Sequence, residues 1–337
     1  MVRKAEVFLE YQLIIPGPPR PPQELYGQAC SNDKVTVDSW GKIWVDQIKA
    51  NRAHLGDFSE HGVGKLFGLF QHKPCILAGS GPSLAVNGDL LKDRKGLPLI
   101  SCLHNFHFFE DRGIKPEFYV SLDAGPVVLE EIAEGGKLTS DEYWERTKDH
   151  TLVAYIGSHP DLIKKWKGKL YLFNAGLPAG PTKEAADKEA EFFTMMGSGG
   201  NVLGACLYLA KGILGCSITA FVGADFSFDY SNKFHGWDSK YDGKLGECLR
   251  VVDIYGMKRN TWKSYHNFKC WFEHVACVVP GVYFNCTEGG ILGAYPDGNI
   301  SQFRYMDLKD FLEMMTMNEH LRRQCEAPKE QHKIMLF

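Results

Sequence analysis

Ile76-Leu77-Ala78-Gly79-Ser80-Gly81-Pro82-Ser83-Leu84 is the stretch from which the rest of the chain can be read. An apolar run of strand length meets two glycines, then a proline at what would be the first helical position, with a serine beside it. Gly79 and Gly81 would let the backbone approach a ligand closely. The N-terminus of a following helix offers unpaired N–H groups and the positive end of a dipole, which suits phosphate. No Lys-Ser/Thr pair follows the glycines, and Pro82-Ser83 breaks the G-x-G-x-x-G spacing, so this is neither a P-loop nor a dinucleotide fingerprint. On the ligand reading Gly79, Ser80, Gly81, Pro82 and Ser83 hold a phosphate; on the plainer one they form a tight strand-to-helix turn.

Working outward, short apolar runs alternate with helical stretches. Cys75–Ala78, Leu97–Cys102, Phe118–Leu122, Leu152–Ile156, Leu170–Phe173 and Ile218–Val222 read as strands. They are apolar throughout rather than alternating, as strands covered on both faces are. The expectation is an α/β, Rossmann-like, doubly wound and mostly parallel sheet. Residues 1–36, with prolines at 16, 18, 19, 21 and 22, read as an extended arm, and 37–73 as a helical lead-in. Residues 74–300 form the main domain, with a polar, aromatic, glycine-containing lid over 226–266. Residues 301–337 read as a C-terminal helix and tail.

The composition narrows the function. Lys plus Arg is 38 against 41 Asp plus Glu, a net charge of −3. This argues against a chain devoted to gripping nucleic acid. Nothing approaches the ~18 apolar residues of a membrane span, and no signal peptide is legible, so a cytoplasmic protein is expected. The ten cysteines include no C-x-x-C pair and several lie in apolar runs, reading as small buried hydrophobes.

Chemistry-bearing residues gather at the ends of the expected strands. Asp123 closes Phe118–Asp123 and Asp225 closes Phe221–Asp225, at the sheet edge where ligands bind in open α/β folds. Either could instead cap the next segment. Asn105 follows a strand and could bond a base or sugar. Gly199, Gly200 and Asn201 open a second helix, either for a ligand or for close helix–sheet packing. Asn285, Thr287, Glu288 and Gly289 offer donors and acceptors suited to a hydroxyl-rich substrate. His235 and His266, within the lid, and His104, after a strand, are general-base candidates. There is no D-x-D metal clamp and no G-x-S-x-G elbow.

Ala78–Leu84 (AGSGPSL), Gly113–Asp123 (GIKPEFYVSLD), Gly199-Gly200, Val222–Asp225 (VGAD) and Asn285–Gly290 (NCTEGG) stand in the order seen in the MptE-like family, which this chain resembles over roughly residues 37–295. That family includes archaeal 6-hydroxymethyl-7,8-dihydropterin diphosphokinases and the Maf glycosyltransferases that modify flagellin with nonulosonic acids. NCTEGG, with Val252–Gly256 and Trp271–Glu273 before it, is more similar to the Maf branch. The glycine turn and the VGAD block are also similar to bacterial CMP-sialic-acid transferases, which bind CMP at the glycine turn, need no metal and place a catalytic histidine beyond a flexible lid. The resemblance implies a transferase using a CMP-activated acidic sugar, with His235 or His266 as base and a small-molecule or protein hydroxyl as acceptor. Its alternative is an ATP-dependent diphosphokinase in which Asp123 and Asp225 hold Mg²⁺. A non-catalytic nucleotide-binding module is a third reading. No resident cofactor is expected, and a homo-oligomer is left open.

Overall fold

The computed structural model describes residues 22–175, 177, 180–190, 194–293 and 302–317. Among them, nine strands form one sheet whose recorded pairings are all parallel. In chain order these are β1 (Pro74–Ala78), β2 (Leu99–Cys102), β3 (Phe118–Ser121), β4 (Thr151–Tyr155), β5 (Lys169–Ala175), β6 (Met195–Met196), β7 (Ile218–Val222), β10 (Val282–Asn285) and β11 (Phe303–Tyr305). Between β7 and β10 lies a separate antiparallel hairpin, β8 (Cys248–Val252) and β9 (Lys258–Trp262). The spatial order is β11-β10-β7-β1-β2-β3-β4-β5-β6. From β1 the chain winds outward through β6, then returns to β1's other side at β7. The switch point therefore lies between β1 and β7, and the crevice outside their carboxyl ends is where such sheets bind ligands. β1, β2, β3 and β7 are buried along their whole length, which is why their sequences do not alternate.

Several expectations need correction. The extended arm expected over 1–36 does not reach that far: Pro22 opens a helix that runs to Leu55. Proline suits a first helical position, where its missing N–H costs nothing, and no proline follows it before the helix ends. Residues 1–21 lie outside the described residues. This helix is tied to the sheet's carboxyl side, because Gln47 Nε2 donates to the Ala124 carbonyl (2.7 Å) and Asn51 Nδ2 to those of Ile156 and Ser158 (2.8 and 2.9 Å). It also packs against the helix Pro181–Ala190, where Gly41 admits Thr182 at a distance that a side chain would close to 2.8 Å.

The span 226–266 is more structured than a loop. It holds a folded segment through 247, the β8–β9 hairpin and the first turn of the helix Lys263–Val278. Phe228, Phe234, Tyr241, Trp262 and Tyr265 form one aromatic cluster beneath it, with ring centroids 4.5–6.2 Å apart. The polar letters that read as a lid are its solvent side, and the aromatics are its anchor. The terminal helix is described over Leu308–Met317, and the expected tail beyond it is outside the described residues. Eight of the cysteines, from Cys75 to Cys286, are free. No helix of the described residues is long and apolar enough to cross a membrane.

Candidate functional site

The turn Gly79–Ser83 and the segment Gly223–Asp225 leave adjacent parallel strands and lock together. Gly79 N–H donates to the Val222 carbonyl and Gly81 N–H to that of Gly223, each at 2.9 Å. A Cβ at Gly79 would stand 2.5 Å from the Gly223 oxygen, and one at Gly81 would overlap Asp225 Oδ2. The glycines are thus required by strand-to-strand approach. The Asp225 carboxylate accepts from Ser83 N–H (3.3 Å) and Ser83 Oγ–H (2.7 Å), taking the place at the helix start where a phosphate was expected. Burial, partly offset by the Ser83 bonds, raises the Asp225 carboxyl to about 7. With the N–H groups of Gly79, Gly81 and Ser83 engaged and Pro82 lacking one, the turn is a braced corner.

Other expected ligand residues are also braces. Asn105 is fully buried under the turn, donating to the carbonyls of Ala78 (3.3 Å) and Gly79 (3.0 Å) and to Ser101 Oγ (3.0 Å). Asn285 Nδ2 donates to the Leu292 carbonyl, and its Oδ1 accepts from Thr287 N–H, both at 2.9 Å. Thr287 Oγ1 accepts from Ala224 N–H (3.3 Å). Glu288 accepts from Asn87 Nδ2 (3.1 Å) and Leu308 N–H (3.0 Å), and Gly289 packs beside Asp225. Asn201 caps its helix through Gly204 N–H (2.9 Å), while Gly199 and Gly200 make room for the rings of Trp271 and Phe268. Apart from Asn105 Oδ1, which is buried without a partner, these polar groups are engaged with protein, so here the close-packing reading describes the geometry.

Beside this corner, side chains converge from the ends of β2 and β3, the segment after them and the lid. A cavity of about 20 Å³ is lined by His104, Ser121, Asp123 and Glu131, among apolar neighbours. Burial raises the carboxyls of Asp123 and Glu131. The Ser121 hydroxyl is buried without a partner. Beside the cavity, His104 Nε2 bonds Glu134 Oε2 at 2.9 Å, and this bond holds the Glu134 carboxyl down to about 2. The lid packs against the His104 ring through His235 and Trp237. Gly236 N–H donates to the Ser80 carbonyl (3.2 Å), and His235 Nδ1 meets the same oxygen at 3.1 Å. The His235 ring stacks on Trp237 (5.1 Å, 8°) and meets the His104 ring edge-on at 4.5 Å. Its Nε2 is buried without a partner.

The two lid histidines are thereby distinguished. His235 is among these converging side chains, whereas His266 is on the helix Lys263–Val278 beside Cys270, with its Nδ1 3.9 Å from Sγ. Glu131, Glu134 and Ser121 were missed as site residues. Glu131 and Glu134 went without a reading in the sequence; their i,i+3 spacing is the one local signal that they share a direction. Ser121 was inside a strand run.

Burial, then the charge of His104, lowers His235 to about 3, and burial is the main cause that lowers His107, packed edge-on to Trp237, to about 4. Both are neutral in the fold and protonate in the unfolded chain below about pH 6.5. The unfolded state then binds more protons, so their contribution to stability is present above pH 6.5 and is lost as pH falls toward 3–4. Over pH 6.5 to 5 each costs roughly 2 kcal/mol. His107→Gln is expected to remove about 2 kcal/mol of acid sensitivity over that window. Urea midpoints of the two proteins at both pH values measure it, and parallel losses would refute it.

Three comparisons bear on identity. The sequence model of the family described as 6-hydroxymethylpterin diphosphokinase MptE-like matches residues 50–231, more than half of the chain. No curated protein matches. Among solved structures, a Maf glycosyltransferase from Magnetospirillum magneticum AMB-1 superposes with a TM-score of 0.55 at 15% identity, over 83% of this chain and 42% of that one. The chain thus spans less than half of that protein's length, and the likeness is one of fold.

Proposed function

This chain belongs to the MptE-like family, and on that premise we propose that it is a nucleotide-dependent transferase moving an acidic sugar from a CMP-activated donor to a hydroxyl acceptor. In this reading His235 Nε2 takes the acceptor's proton as its oxygen attacks the anomeric carbon, and CMP leaves with the electrons of the bond that breaks. The observation that carries it is the seat of His235: a neutral imidazole, held by the lid at the Ser80 carbonyl beyond β1 and against the His104 ring, with an unpartnered nitrogen. A base must be unprotonated and able to reach the proton it takes; the lowered His235 imidazole supports the first requirement and its unpartnered Nε2 supports the second.

The Mg²⁺ arrangement of the alternative fits less well. Phosphoryl transfer needs cations across the phosphates, and Asp123 with Asp225 was the pair to hold them. Asp225 is instead committed to Ser83. Asp123 and Glu131 remain as oxygen donors at the cavity, which keeps an ATP-dependent diphosphokinase as the second reading.

Nucleotide pockets span about 300 Å³ or more, far above the 20 Å³ enclosed here. Donor binding therefore requires this cavity to widen. A thermal-shift panel tests the proposal, since a ligand of the folded state raises Tm by mass action. Stabilisation by CMP without metal is expected. Stabilisation by ATP only with Mg²⁺ would transfer the assignment to the diphosphokinase, and a flat panel would favour a module without turnover.

A further inference from the structure

We propose that His104, Glu134 and His235 form a binding site for a divalent late first-row transition metal of the Zn²⁺ class, latching the lid to the end of β2. One ligand atom from each lies within 4.8 Å of the others. A tetrahedral zinc site with bonds of 2.0–2.1 Å places its ligand atoms about 3.4 Å apart, so a shift of an ångström or so closes the set. His104 and Glu134 already stand at 2.9 Å.

A second observation points the same way. His235 is 95% buried by its 5% exposure, and its Nε2 has no partner. Its other nitrogen faces the Ser80 carbonyl at 3.1 Å. A proton on Nδ1 satisfies that oxygen and leaves the Nε2 lone pair free, the outer contact that metal-bound histidines show. Trp237 stacks on His235 and meets His104 edge-on at 5.0 Å, holding both rings in place. The three ligands come from separate stretches: the end of β2, the segment after the helix Val127–Glu131, and the lid.

Two imidazoles and one carboxylate suit Zn²⁺ and its neighbours, whereas Mg²⁺ and Ca²⁺ take all-oxygen sets. Three protein ligands leave a fourth position for water or ligand, and His104 borders the cavity. Ligation displaces the proton shared by His104 and Glu134 to solvent. The metal also occupies the lone pair assigned above to the acceptor's proton, so bound metal and turnover exclude each other. The site itself does not depend on the transfer reading.

The test uses the full chain, stripped with chelator and dialysed without nucleotide. Zn²⁺ is expected to bind at one equivalent by elemental analysis and to raise Tm, while Mg²⁺ does neither. Co²⁺ should give the visible absorption of a low-coordinate site. Glu134→Gln and His235→Gln are each expected to weaken Zn²⁺ at least 100-fold, and His266→Ala to leave it unchanged. Glu134 is partly exposed, so its variant keeps the test open if the His235 variant does not fold. Absence of stoichiometric Zn²⁺ binding, or equal affinity in Glu134→Gln, would overturn the site.

Discussion

Replacing His235 by alanine is expected to lower turnover of the donor nucleotide by 10²–10⁴-fold, the range that a positioned base supplies. The loss should fall on kcat with little change in nucleotide KM, because the imidazole acts on the acceptor's proton and its contribution belongs to the transition state. His266→Ala, on the helix beside Cys270, should stay within a few-fold of wild type. A pH profile adds a second criterion. With the imidazole held to about 3 by burial, the base form persists across the neutral range, so His235 imposes no acid limb near pH 6.5. Equal losses in the two variants, or none in His235→Ala, would remove the lid histidine from the mechanism.

The second large effect is at Gly81. Gly81→Val is expected to destabilise the protein by about 3 kcal/mol or more, the upper range of overpacking. Its Cβ would overlap Asp225 Oδ2 and stand 2.8 Å from the Gly223 carbonyl. The corner cannot give way cheaply, since Asp225 is fastened to Ser83 and Gly290 packs against the Asp225 backbone. Gly289→Ala is the matched control: its Cβ would meet Asp225 Oδ1 at 3.5 Å, an ordinary contact, and should cost less than about 1 kcal/mol. Urea unfolding of the two variants separates the cases. A Gly81→Val protein of wild-type stability that had lost nucleotide binding would return the turn to a phosphate role.

The amino-acid sequence by itself determined the sheet. Burial on both faces demands continuous apolar runs, and local runs such as Ile76–Ala78 and Ile218–Val222 declare that requirement without help from distant residues. The family was legible for the same reason, in contiguous motifs at the ends of those strands. Only the tertiary structure decided what the motif residues touch. Glycine is selected both where a backbone nears a ligand and where two turns approach each other, so AGSGPSL could not distinguish the two; the Gly223 carbonyl and the Asp225 carboxylate supply the distinction. NCTEGG carried donors and acceptors for a substrate, but the fold places Ala224, Leu292 and Leu308 within their reach. His104 and His235 are 131 positions apart, with Glu134 between them and no common spacing, and the three meet because the end of β2, the segment after the helix Val127–Glu131 and the returning lid converge.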